Sequence, residues 1–228
     1  INENEENTYI PVMSEENFII DDTNNTYTGD IQNITEATIN VISPDLINAN
    51  FQNNGIITVN GNFSMGINAV NSNVVNNRDI IINGLYSAGI SSIVPAEASV
   101  IINNGNIFVN GYYARGIFSF NNSEIINDIN GILYVSGEKA GGMTVKHDTL
   151  ENAAVNKGKI IVSGKDAVGM STIGGLIINE GIIEVTGENA VGMYIDGSNA
   201  ATAAINNGEI LVGRNANSAI TAIGSNAR

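Results

Sequence analysis

The sequence predicts an all-β chain wound as a parallel β-helix of about seven or more coils, with three short strands per coil. Three observations carry this. A glycine-bearing unit returns seven times at a spacing near 25 residues. Within each copy the apolar residues alternate, the period of a strand with one buried face. No stretch shows the 3.6-residue period of a helix, which argues against leucine-rich, ankyrin and tetratricopeptide arrays.

Composition narrows the classes further. The 228 residues are 43% hydrophobic, too apolar for a disordered chain, and 38 Asn with 37 Ile make up a third of them. With no Cys there are no disulfides, thiolate metal sites or cysteine nucleophiles. No apolar run approaches the roughly 18 residues of a membrane-spanning helix. The formal charge of −14 disfavours sequence-independent binding of nucleic acid, which needs a basic surface.

Residues 1–50 lack the repeat and are acidic; through residue 77 there are ten acidic residues and no Lys or Arg. This segment reads as an extended arm or cap with one or two strands, its charge a solvated face. It is the candidate cover for an open solenoid end, which would otherwise template aggregation. Neither an initiator Met nor a basic-then-apolar leader is present, so Ile1 reads as the residue after a removed segment or as the cut edge of an excised piece.

Residues 51–228 form the repeat array. Its unit runs [IV]-N-x-G, four residues ending in Val or Ile, then x-G-x4-G-[MI]. Clear copies are NNGIITVNGNFSMGI (53–67), NNGNIFVNGYYARGI (103–117), NKGKIIVSGKDAVGM (156–170) and NEGIIEVTGENAVGM (179–193). The second glycine column is Gly66, Gly89, Gly116, Gly142, Gly169 and Gly192, replaced by Ala219 in the last copy.

The first strand of each coil ends on the Asn, as in NVVN and SVIIN. The second strand carries two inward columns, from Ile57 to Ile210 and from Val59 to Val212, with a variable residue between them. The third begins at the G-[MI] element, with Ile67, Ile90, Ile117, Met143, Met170, Met193 and Ile220 inward. Small residues at Ser64, Ser87, Ala114, Ala140, Ala167 and Ala190 suit a tight corner, where neighbouring glycines supply backbone freedom or close approach. The Asn column (Asn53, Asn76, Asn103, Asn127, Asn156, Asn179, Asn206) reads as stacked carboxamides, each donating to one neighbouring coil and accepting from the other. A chain stopping at Arg228, directly after a coil, suggests that coils continue in a parent protein.

Units such as NEGIIEVTGENAVGMYIDG (179–197) and NKGKIIVSGKDAVGMST (156–172) resemble the passenger regions of large type V autotransporters of fusobacteria and related Gram-negative bacteria. The resemblance covers 51–228. It implies a right-handed β-helix, exported and displayed at the cell surface or released, in a protein family of mostly adhesins for host cells or other bacteria. The absence of Cys suits that route. No functional residue carries over, because binding determinants of the family lie in variable outward positions.

Polysaccharide lyases and hydrolases also use parallel β-helices, so an enzyme is the rival to an adhesin. A hydrolase needs two opposed carboxylates about 5–9 Å apart; a lyase needs clustered carboxylates for Ca²⁺ beside a basic residue. Asp21-Asp22 is the only adjacent Asp pair and has no basic neighbour. On the coils the outward acids Asp79, Glu184, Asp196 and Glu209 stand singly, and Glu138, Lys165 and Glu188 form a mixed-charge column. His147, the sole histidine, reads as a residue of a variable loop, and Gly169–Gly174 lacks the spacing of a nucleophile elbow. The sequence therefore predicts no catalytic residues, no metal and no cofactor.

Binding on a regular rod belongs to outward residues that break the pattern. Phe63, Tyr86 and Tyr113 share one outward column in the first three copies, where later copies have Lys139, Asp166 and Asn189. Tyr112, Phe108, Phe118 and Phe120 belong to the third of these coils. Such rings either stabilise stacking between coils or form a patch for protein or sugar. The candidate partner site is Tyr86, Tyr112, Tyr113, Arg115 and Phe118. The partner is then a host-cell protein or glycan, or another bacterial surface, met by a monomeric rod. The polar insertion 144–152 is a second candidate. A spacer that carries a distal binding domain is the alternative to an adhesin segment, ahead of an enzyme.

Overall fold

The computed structural model describes residues 8–9, 17–20, 26–28, 36–39, 45–47, 50–92, 98–120, 123–147, 150, 153–198 and 201–228, and side chains from residue 51 onward apart from 153. Its strands form three parallel faces of seven, nine and ten strands. One coil shows the path. Val100–Asn103 lies in the first face, Asn106–Val109 in the second and Arg115–Ser119 in the third, before Glu124–Asn127 returns to the first. Each strand pairs with its counterpart one coil away, so the fold is a parallel β-solenoid with three strands per coil.

The alternation read from the repeat sets the register. Ile80 pairs with Ile57 and Ile107, and Ile82 with Val59 and Val109, which places both inward columns of the second face in line. These side chains are fully buried through Ile183 and Val185. Each buried Ile contributes about 1.5–3 kcal/mol by leaving water, so the stacked columns are the main stabilising element. In the final coil Val212 and Ile220 are 44% exposed, since no described coil lies beyond them.

The Asn column closes the corner between the first and second faces. Nδ2 of Asn53, Asn76, Asn103, Asn127, Asn156 and Asn179 donates to Oδ1 of the next Asn at 2.7–2.8 Å. The second amide hydrogen turns back to a carbonyl of its own corner, Gly105 for Asn103 and Gly131 for Asn127. Asn53 through Asn179 are buried, so each amide has exchanged water for protein partners.

Glycines provide close approach at the corner between the second and third faces. A Cβ on Gly116 would stand 2.7 Å from the Gly142 carbonyl oxygen and 3.2 Å from Leu133 and Val109 methyl groups. A Cβ on Gly111 would stand 2.1 Å from the Gly84 oxygen. Left-handed backbone is used at one position of the same turn in successive coils: Phe63, Tyr86, Tyr113, Lys139, Asp166 and Asn189 have φ of 54–57°. In this conformation each N–H points along the rod. That of Tyr86 donates to Tyr112 O and that of Tyr113 to Glu138 O, so inter-coil bonding continues through the turn.

Among the described residues, 1–50 contribute five strands rather than one or two. Asn17–Ile20 and Glu36–Ile39 extend the second face in parallel onto Ile56–Val59. Thr8–Tyr9, Thr26–Thr28 and Asp45–Ile47 extend the third face onto Met65–Val70. The sequence concealed these strands because the Asn and glycine columns are absent there, although alternation survives in NFII and EATI. Asp21 and Asp22 lie outside the described residues.

Candidate ligand-binding face

The corner between the second and third faces brings the outward aromatics together. Phe63 and Tyr86 stack at 5.3 Å between ring centroids and 1° between planes, and Tyr86 and Tyr113 at 5.1 Å and 6°. Tyr112 meets Tyr113 and Tyr86 edge-on at 4.8 and 6.0 Å. Phe63 is 60% exposed, Tyr86 50% and Tyr112 38%, so the ladder faces solvent. Large side chains at positive φ cost about 1–2 kcal/mol per residue. Stacking of about 0.5–1.5 kcal/mol per ring pair offsets that cost.

Lys139 continues the column. Its Nζ lies 5.4 Å from the Tyr113 ring centroid and 5.5 Å from that of Tyr112, and it donates to the Tyr112 hydroxyl at 3.3 Å. That hydrogen bond holds the ammonium pKa above its ordinary value. The sequence had Lys139 in the aromatic column but gave no reason to join it to the rings; a cation needs only to follow an aromatic stack by one coil to sit over it.

Arg115 lies next to Tyr113 on the third face. Its Nη1 donates to the carbonyls of Tyr113, Ala114 and Lys139 at 3.0, 3.1 and 3.3 Å. Burial lowers its pKa from the ordinary value, and an arginine stays charged after such a shift. Phe118 is separate from the ladder. It is half-buried, in register with Ser91 and Thr144, and its ring contact is Phe120, edge-on at 6.4 Å. Lys146 sits 4.6 Å above Phe120.

Between these groups the third face is hollow. Gly141, Thr144 and Ser171 form a low floor, and Tyr113 and Tyr194 stand at its two ends, with Lys139 and Asp166 on the rim. The hollow measures about 410 Å³. Arg115 reaches over the floor: a Cβ on Gly141 would come within 2.9 Å of its Cδ and 3.2 Å of its Nε. Thr144 and Ser171 hydroxyls hydrogen-bond each other at 2.9 Å. Sequence reading missed Tyr194 and Ser171, and had Thr144 only as the first residue of the insertion 144–152. The signal was the outward column Phe118, Thr144, Ser171, Tyr194, large at both ends and small in the middle.

The remaining chemical candidates have other places. His147 lies in the loop that follows Gly141–Val145 and is buried there, its Nε2 3.0 Å from the Ser119 hydroxyl. That Ser–His pair is closed from solvent, with Ser119 fully buried. It belongs to a polar inner corner with Ser92 and Ser123, whose hydroxyls meet at 2.9 Å. Part of the insertion 144–152 lies outside the described residues. Glu188 pairs with Lys165 at 3.2 Å and Glu184 with Lys159 at 2.7 Å, as a mixed-charge surface does. Among the described residues no three of His, Asp and Glu gather in a group suited to a metal ion.

A family model described as the BigA third pectate lyase-like domain matches residues 23–227, and the chain belongs to that family. No curated protein and no solved structure matches the chain.

Proposed function

We propose that this member of the BigA third pectate lyase-like domain family is an adhesive segment of an autotransporter-type protein on a Gram-negative surface. In this reading the rod attaches to host cells or other bacteria through Tyr86, Tyr112 and Tyr113, with Arg115 and the hollow beside them. One observation carries the reading. Three rings stack in a turn whose φ disfavours bulky residues, Phe63 and Tyr86 exposed and Tyr113 half-buried, and strain held at an exposed site points to use. Exposed aromatic clusters are the usual anchors of recognition surfaces.

Replacing Tyr86, Tyr112 and Tyr113 together by Ser is expected to abolish attachment to cells while the β-type circular dichroism remains. Unchanged attachment by the folded triple variant would reject the patch. A spacer role is the second reading, favoured by the unbroken inward columns and Asn ladder. Under it the native chain binds no cell at all.

A further inference from the structure

The cations of this chain are placed against its overall charge. Among the described residues only Lys159 and Lys165 form ion pairs with carboxylates. Arg115, Lys139 and Lys146 instead rest on backbone carbonyls or aromatic rings, on one face of a rod that carries a formal −14. Arg115 uses only Nη1 for its three carbonyls. Of the five guanidinium N–H groups, the Nε and Nη2 donors have no partner among the described residues, and that edge matches carboxylate and sulfate oxygens. Its Nε lies over the Gly141 floor, inside the hollow.

The walls and floor suit a sugar. Tyr113 and Tyr194 sit three coils apart, about 14 Å along the rod at the usual spacing of paired strands. Aromatic faces take the C–H face of a sugar ring, and Thr144 and Ser171 offer hydroxyls to its polar edge. Asp166 is the one carboxylate of the lining, against the two cations Arg115 and Lys139.

We propose that this hollow binds an anionic oligosaccharide, with Tyr113 and Tyr194 as stacking walls and Arg115 and Lys139 as contacts for its carboxylate or sulfate groups. The proposal deepens the adhesive reading and rests on it for biological sense only. A protein partner would need a larger area than this hollow and meets the exposed ladder instead.

The test titrates the 228-residue chain with a sialylated oligosaccharide, its desialylated form and a heparin-derived oligosaccharide. At least one charged probe is expected to bind tenfold or more tighter than the neutral form, and more weakly as salt rises. Lys139→Glu and Tyr194→Ser should each weaken binding at least tenfold with β-type circular dichroism retained. Arg115→Lys, which keeps the charge but loses the two-nitrogen edge, should weaken it several-fold. Binding of the sialylated probe alone assigns carboxylate, and of the heparin probe alone sulfate. Equal affinity for the neutral form, no binding of either charged probe, or indifference to Lys139→Glu and Tyr194→Ser overturns the proposal. Cell attachment by a chain that binds neither charged probe defeats the hollow and leaves the adhesive reading. Saccharide binding without cell attachment does the reverse.

Discussion

The rings of Tyr86 and Tyr113 lie 5.1 Å apart and 6° from parallel although both residues hold φ at +54°. Backbone and side chain oppose each other here. The left-handed turn disfavours a large residue, and the coil spacing stacks identical positions at the right separation for aromatic pairing.

The sign of a glycine substitution in this column therefore depends on the coil. Tyr86→Gly removes φ strain but also three ring contacts, at about 0.5–1.5 kcal/mol each. It is expected to destabilise the chain by about 1–2 kcal/mol after the strain relief and the entropy of glycine. Asn189→Gly, at φ 57° in an exposed turn, has no ring to lose. It should be neutral or stabilising, within about 0.5 kcal/mol. Urea melts of the two variants measure the difference, and equal losses would mean that stacking contributes nothing.

The Asn column predicts a gradient along the rod. Asn127→Ala removes a donor to Asn156, an acceptor for Asn103 and the bond to Gly131 O, all buried. The loss should be about 3 kcal/mol, because the partners stay buried without water. Asn206→Ala removes one acceptor at an exposed position and should cost about 1 kcal/mol or less. Equal effects in chemical denaturation would show that the ladder is not cooperative with burial.

Gly116→Ala tests the inner glycine column. The added methyl meets the Gly142 oxygen at 2.7 Å, backbone that shifts only with the neighbouring coil. A loss of about 1–3 kcal/mol is expected from overpacking. The last coil already carries Ala219 in this column, and Ala219→Gly should change stability by less than about 0.5 kcal/mol. Thermal melts that rank the two variants the other way would contradict the close-approach role.

Much of this molecule was legible in the sequence because stacked coils give every position the same environment. Columns of Ile and Val at period two told which side chains point inward, and buried Asn at a fixed offset told where the amides bond. The strands of residues 1–50 were not legible, since they join the sheets without the repeat's glycines and Asn. The burial of loop residue His147 was hidden for a similar reason. Its segment breaks the repeat, so nothing local revealed that Ser119 of the previous coil would cover it.

The candidate face divides in the same way. Tyr86, Tyr112, Tyr113 and Arg115 were found as departures from the pattern; Tyr86 and Tyr113 are adjacent through a shared column, and Tyr112 and Arg115 flank Tyr113 along the chain. The sequence by itself determined the coil, its inward columns, its Asn corner and the aromatic stripe, because these depend on residues one repeat apart. The tertiary structure alone decided that, in the turn between the second and third faces, the positive φ falls on the column that begins with Phe63 and Tyr86 rather than on its glycines. It also decided that Lys139 rests on the rings and that Gly141, Thr144 and Ser171 leave a hollow under Arg115. Those outcomes depend on side-chain size and direction across three or four coils, and periodicity carries no record of either.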